Sequence, residues 1–357
     1  MDKIILNILK KLEKNGYEAY IVGGFVRDKI LGLDTNDIDI CTNALPKEVK
    51  KVLNLNKIIK DDYGSINIKI KKYNIDITTF RVESNYNKHI PKNINYVKNV
   101  LVDIKRRDFT INSILMNSKC ELIDYCNGMD DINKKIIKCI GDTNNKLKED
   151  PLRILRAIRL SIKLDFRLDE DIIKFIKNNK KILENLSFYR KKEELDKILY
   201  SKNKLKGLKI LKELGLDSVL NIKYDKVKYS KDMLGMYAQI EFSDNYPLTK
   251  NEKDIIKKIR EILSIGNIDN YIIYKYGLYI SSIAGEILGI DYKTLNKMYK
   301  ALPIKSRKDL KIDVESIVKL NNNCYNNINL ILNELENNIA IWNIKNKRSD
   351  IIKFLRK

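Results

Sequence analysis

Hydrophobic and polar positions change their rhythm once along this chain. The first sixteen residues carry Ile4, Ile5, Ile8, Leu9 and Leu12 at helical spacing, the pattern of an amphipathic helix with one apolar face. Short segments of strand-like alternation follow. GYEAYIV (16–22) is a brief apolar run ended by Gly23 and Gly24, FVRDKILG (25–32) reads as a short helix stopped by Gly32, and DIDIC (37–41) alternates strictly. SINIKIKKYNIDITTFRV (65–82) predicts a hairpin turning near Lys72–Asn74, and SILMNSKCELIDY (113–125) predicts a strand pair turning at Asn117–Ser118. After Gly141 the period moves to 3.6 and stays there, through DPLRILRAIRLSIKL (150–164), DEDIIKFIKNNKKIL (169–183), YRKKEELDKILYS (189–201), KGLKILKELGL (206–216), NEKDIIKKIREILSI (251–265), KTLNKMYKAL (293–302), NINLILNELENNI (327–339) and SDIIKFLRK (349–357). The expected fold is α+β: a mixed sheet with helices packed on it, then an all-α body and tail. The expected divisions are a head at 1–140, a helical neck at 141–200, and the body and tail at 201–357.

Composition narrows the chemistry. A length of 357 residues with 44% hydrophobic content is too long for one small domain. No run of roughly 18 apolar residues occurs, so no membrane span is expected, and the N-terminal segment lacks the apolar core of a signal peptide. The cytosol is the expected compartment. Five cysteines without a CxxC pair read as reduced thiols. With His89 as the single histidine, a zinc site or a Ser-His-Asp triad has almost nothing to draw on, which points to carboxylates, arginines and a carboxylate-bound metal. The formal charge of +22 attracts polyanions, nucleic acid first. Ile, Lys and Asn are abundant throughout, however, and part of the lysine serves only to solvate surfaces.

Two constellations carry specific chemistry. Gly23-Gly24 between a strand and a helix lets the backbone approach an anion closely, with Arg27 in the next turn adding charge. On the following strand Asp37 and Asp39 sit at i and i+2, hence on one face, with Ile38 and Ile40 turned to the core. Two hard carboxylates beside a phosphate cradle suit Mg²⁺, which takes its remaining ligands from water and substrate phosphates. A turn plus a strand end is the plainer alternative for either motif alone. The second constellation is EDPLRILRAIR. Asp150-Pro151 makes an N-cap and N1 pair, and Arg153, Arg156 and Arg159 then recur along one side opposite Leu152, Leu155, Ile158 and Ile162. A helix cap with a solvated basic stripe is the alternative there.

GGFVRDKILGLDTNDIDICTNALPKEV resembles the catalytic signature of the class II tRNA nucleotidyltransferases and bacterial poly(A) polymerases. The likeness continues through ITTFR (77–81), RRDFTINSILMN (106–117) and GDTNNKLKEDPLRILRAIRLSIKLDF (141–166), and ends in SFYRKKEELDKIL (187–199). LPIKSRKDL (302–310) is similar to a tail segment of the Firmicute-type CCA-adding enzymes. The resemblance implies a nucleotidyltransferase head and a helical body holding the tRNA acceptor arm. The implied activity is template-independent addition of C and A to tRNA from CTP and ATP, with Mg²⁺ held by Asp37 and Asp39. It further implies that Gly24, Arg27, Arg107, Arg156 and Arg159 bind the nucleotide. Asp150 and Arg153 would read its base, and Asp108 and Asn112 would shape the pocket. Local hydrogen bonding before Phe109 is the alternative for Asp108. SNYNKHIPKNINYV (84–97) aligns with a mobile loop of the family but lacks its charged pattern around His89, and Tyr189 replaces a usual glutamate. Within the family, a poly(A) polymerase or an enzyme adding only CC or only A are the alternatives. A non-catalytic RNA-binding protein would have lost a metal ligand, and both aspartates are present.

Overall fold

A computed structural model describes residues 2–55, 60–62, 64–87, 90–320 and 327–356, in two compact units, 1–220 and 221–357. In the first, α1 (Lys3–Lys14) buries Ile5, Ile8, Leu9 and Leu12, four of the five apolar positions expected, and Asp2 caps it. Next come β1 (Ala19–Val22), α2 (Gly24–Ile30), β2 (Asp37–Thr42), α3 (Pro46–Leu53), β3 (Lys60–Asp62), β4 (Ser65–Ile70), β5 (Tyr73–Thr79), β6 (Arg81–Asn87), β7 (Ile90–Tyr96), α4 (Val100–Lys105), β8 (Leu115–Met116) and β9 (Leu122–Ile123). Among the described residues seven strands form one mixed sheet in the order β3-β4-β5-β2-β1-β8-β9, in which only the β2–β5 pair is parallel.

The β4–β5 hairpin pairs Ile70 with Tyr73, so it turns at Lys71-Lys72 rather than near Lys72–Asn74, and Lys71 takes the left-handed conformation (φ +54°). The segment 84–97, expected as a loop, carries much of β6 and β7, which pair antiparallel with Arg81 opposite Tyr96. Alternation there is broken by polar Asn and Lys residues, which hid the strands from a pattern reading. His89 and Lys88, where the family's charged pattern is missing, lie outside the described residues.

Helical structure then dominates: α5 (Gly128–Asn133), α6 (Thr143–Glu149), α7 (Leu152–Leu164), α8 (Glu170–Asn179), α9 (Phe188–Tyr200) and α10 (Lys204–Glu213), with a short parallel pair of Ile136–Ile137 and Arg167–Leu168 between α5 and α8. The helix α10 packs on α7 and α9, carrying the first unit to Leu220.

Among the described residues the second unit is helical apart from loops and one short antiparallel pair, Ile222–Lys223 with Glu241–Phe242. Thr249 and Glu252 form a capping box at the start of the helix Lys250–Ile265. The helix Asn270–Leu288 escaped the sequence reading, because YIIYKYGLYISSIAGEIL is apolar nearly all round and shows no polar face. It bends at Gly277 (φ +77°). Near the C-terminus Ile304, Ile317, Leu332, Leu335, Ile339 and Ile351 form a core of their own.

Candidate active site

The site is built on the junction of β1 and β2. Their antiparallel register sets Val22 opposite Asp39, so the chain leaving β1 passes over the Asp39 carboxylate. Gly23 makes that passage with φ +79°, and a Cβ on it would lie 2.6 Å from Asp39 Oδ2. Glycine is the residue that allows both the backbone angle and the approach. Along β2 the side chains alternate as expected: Ile38 and Ile40 are each 1% exposed, whereas Asp37 and Asp39 face outward. Asp37 accepts a hydrogen bond from Asn74 Nδ2 at 3.0 Å. On the parallel neighbour β5, Asp76 is in register with Asp39.

Above Asp39 opens a cavity of about 430 Å³. Of the residues expected at the site, Gly24, Arg27, Asp39, Arg107, Asp150, Arg153, Arg156 and Arg159 line it, while Asp37, at the start of β2, does not. Arg81, Arg106, Asp108 and Asn112 line it too. Asp108 and Asn112 were named from the sequence as pocket-shaping residues; Arg81 and Arg106 were not singled out. Each ends or adjoins a quoted motif, ITTFR and RRD, and that adjacency was the available signal. Seven arginines against three aspartates make the wall strongly cationic. The helix α2 has only seven residues, so the anion-attracting charge comes from these guanidinium groups rather than from a helix terminus.

Buried acids hold the arginines in place. Asp103, fully buried on α4, accepts from Arg106 Nε at 2.8 Å and from Arg107 Nη2 at 3.0 Å. Burial alone would raise its carboxyl, but Arg107 and Arg106 outweigh that and hold it below the usual range. Asp108 accepts Arg156 through Nε and Nη2 at 2.9 and 2.6 Å on one oxygen, and Phe109 N–H and Asn112 on the other. Burial again opposes ionisation, and Arg156, Asn112 and the Phe109 amide together hold Asp108 well below an ordinary carboxylate. Asp108 therefore makes the local turn and the pocket wall at once. Asn112 passes the network on, accepting from Arg27 Nη1 at 2.5 Å, and Arg27 also pairs with Asp28, itself bound to Lys163 at 2.9 Å.

The basic side of α7 is consequently no solvated stripe. Arg153 is 7% exposed and donates to the carbonyls of Lys146 (2.7 Å) and Arg106 (3.1 Å) and to Glu149 (2.9 Å). Arg159 donates to Glu194 on α9 at 2.7 Å. Asp150 caps α7 as expected, its Oδ1 accepting from Leu152 N–H at 3.2 Å. It also lines the cavity, which a pure cap would not require.

The carboxylates fit a divalent cation of open coordination. Partial burial raises the Asp39 carboxyl above its ordinary value, Asp76 and Asp37 add to this, and Arg107 and Arg156 oppose it. Acids that crowd and repel are stabilised by a cation between them. Among the described residues no three His, Cys, Asp or Glu side chains form a ready cage. Two carboxylates with room for substrate oxygens and water suit a cation bound jointly with a nucleotide. Cys41, Cys120, Cys126 and Cys139 are free thiols, and Cys324 lies outside the described residues.

A mixed-sheet head with Asp39 under an arginine-walled cavity, and Asp37 two residues before it on the same strand, is the architecture of a nucleotidyltransferase. Residues 19–138 match the Poly A polymerase head domain, and residues 165–221 match the probable RNA and SrmB- binding site of polymerase A. The chain is 32% identical to the CCA-adding enzyme of Ligilactobacillus salivarius over 99% of its own length and 96% of that protein. It is 30% identical to the CCA-adding enzyme of Lactobacillus johnsonii, over 98% of its length and 96% of that protein. This chain belongs to the CCA-adding enzyme family. Among solved structures it shares its fold with the Bacillus stearothermophilus CCA-adding enzyme in complex with CTP, with a TM-score of 0.84, 23% identity, and coverage of 99% of this chain and 96% of that one. A second, the Thermotoga maritima CCA-adding enzyme complexed with tRNA, gives a TM-score of 0.71 at 22% identity, covering 99% and 94%.

Proposed function

We propose that this enzyme adds C and A nucleotides, without a template, to the 3′ end of tRNA from CTP and ATP, releasing pyrophosphate. The observation that carries the proposal is one cavity that joins the Asp39 floor, a wall of seven arginines and the Asp150–Arg153 corner. A triphosphate needs the cationic wall, and Arg27 and Arg107 lie where they can meet it beside the carboxylates. Arg156 and Arg159 line the same wall farther along α7 and complete the nucleotide contacts. We assign Mg²⁺ to Asp37 and Asp39; when bound, it would favour the deprotonated 3′ hydroxyl of the primer and offset charge on departing pyrophosphate. The chain's own groups orient the nucleotide, and acids paired with Arg27, Arg106, Arg107, Arg153, Arg156 and Arg159 keep those guanidinium groups from collapsing onto the carboxylates.

Base choice falls to Asp150 and Arg153. Cytosine and adenine both present an exocyclic amine beside an unprotonated ring nitrogen. A carboxylate accepts from the amine, and a guanidinium N–H donates to the ring nitrogen. Guanine and uracil reverse the pattern and leave polar groups facing like polar groups. Arg153 suits the task because three hydrogen bonds already fix its plane and leave N–H groups to spare. Residues 1–140 act as the catalytic head, 141–200 as the nucleotide-selecting neck, and 201–357 as the body and tail that hold the acceptor arm. No helix among the described residues is long and apolar enough to cross a membrane, and we place the enzyme in the cytosol.

The deciding assay offers the purified protein tRNA ending before CCA, after C and after CC, with CTP and ATP alone and together. Stepwise completion to CCA is expected. Addition of only CC or only A would assign a partial activity, and long A tails would make it a poly(A) polymerase.

A further inference from the structure

We propose that Arg190 is a positioning residue for base selection, holding the Asp150 carboxylate in one orientation. The proposal rests on the base-reading role of Asp150. Arg190 stands in the first turn of α9, after the cap Ser187. One turn later Glu194 takes the Arg159 guanidinium of α7 at 2.7 Å, and residues four apart share a helix face. The Arg159–Glu194 joint therefore turns Arg190 toward the N-terminal end of α7, where Asp150 lies. Arg190 Nη1 sits 3.6 Å from Asp150 Oδ1, a charge contact longer than a hydrogen bond.

Among the described residues Arg190 Nη1 is buried without a hydrogen-bond partner. A buried guanidinium N–H gains most from an acceptor that can approach it. Across this gap lies Asp150, whose Oδ1 already accepts the Leu152 N–H. With Oδ1 facing the amide and the guanidinium, the carboxylate plane is held from one side. Oδ2, which takes no hydrogen bond within the described residues, is left to accept from a base amine in the cavity that Asp150 lines. A contact of 3.6 Å has room to shorten when a base pulls on the carboxylate.

The test compares Arg190→Met, Arg190→Lys and Asp150→Asn, singly and as the double variant Asp150→Asn/Arg190→Met. The readouts are KM and kcat for each of the four nucleotides on tRNA lacking its end, together with Tm. Arg190→Met should raise KM for CTP and ATP and increase relative use of GTP and UTP about tenfold, with Tm nearly unchanged. Arg190→Lys, which keeps the charge but not the planar fork, should lie between. In the Asp150→Asn background, removal of Arg190 should add nothing to the loss of selectivity. A lowered Tm or kcat in Arg190→Met with discrimination intact would overturn the proposal while leaving base reading in place, provided Asp150→Asn alone changes the profile. An unchanged four-nucleotide profile in Asp150→Asn would overturn the base-reading role, and the role of Arg190 with it.

Discussion

At Gly23 one missing carbon atom decides whether the cavity floor can form. A methyl group there would press on Asp39 Oδ2 at 2.6 Å and force a side chain into φ +79°. Such backbone angles cost a non-glycine residue about 1–3 kcal/mol before any clash is counted. Gly23→Ala should therefore lower Tm and cut nucleotide incorporation sharply. Gly24→Ala should be much milder, because a Cβ at Gly24 meets only Arg27 Nη2, at 3.4 Å. Equal effects of the two substitutions on incorporation would remove the close approach from the account. For the carboxylates, Asp37→Ala and Asp39→Ala should each abolish incorporation while thermal unfolding and tRNA binding stay close to the parent. Neither side chain belongs to the core, and relieving acid repulsion near Asp76 does not destabilise the sheet. Turnover within tenfold of the parent in either variant would take that residue out of the metal site.

At the scale of elements, α7 is joined to the head by charge as well as by apolar packing. Leu155, Ile158 and Ile162 are each no more than 1% exposed, while Arg153 reaches the carbonyl of Arg106 and Arg156 reaches Asp108. Asp108 is ionised in the folded protein far below its unfolded value, so it stabilises fully above that value, about 3.9, and loses the contribution as pH falls toward its folded pKa. Asp103 acts in the same direction. Asp108→Asn keeps the shape but loses the charge-assisted pair, a cost of about 1.5–3 kcal/mol near neutrality. Urea midpoints measured from pH 6 to pH 2.5 should show the parent and Asp108→Asn converging below pH ~4. A constant gap across that range would mean that Asp108 contributes through shape alone.

For the whole molecule, the charge of +22 is an argument about encounter with RNA. An A-form acceptor stem hides its base edges in a deep groove, so it is held through phosphates and shape. Lysines in KYDKVKYSK and PIKSRK lie in the second unit, where Arg307 is itself tied to Glu336 and Asn333. Affinity of the full chain for tRNA should fall roughly 10³-fold or more between 50 and 200 mM salt and vary little with tRNA sequence, as expected for six or more phosphate contacts. Binding that ignores salt would assign the lysine excess to solvation alone.

What the sequence by itself determined were features carried by neighbours along the chain. The alternation of DIDIC put Asp37 and Asp39 on one face, the 3.6 period after Gly141 announced the helices, and Asp150-Pro151 marked the start of α7. Local sterics and burial of one face suffice for these, so periodicity reads them directly. Where local pattern was weak, in the polar β6–β7 hairpin and the uniformly apolar helix Asn270–Leu288, the elements stayed hidden. Tertiary structure alone decided which charges meet. Asp108 and Arg156 are 48 residues apart, and Arg27 and Asn112 are 85 apart. Their pairing depends on how α7, α2 and the turn before β8 pack, and a long-range contact leaves no period in the chain. The same packing converted the arginines of α7 from an apparent surface stripe into the wall of the cavity above Asp39, and it brought Arg190 to Asp150.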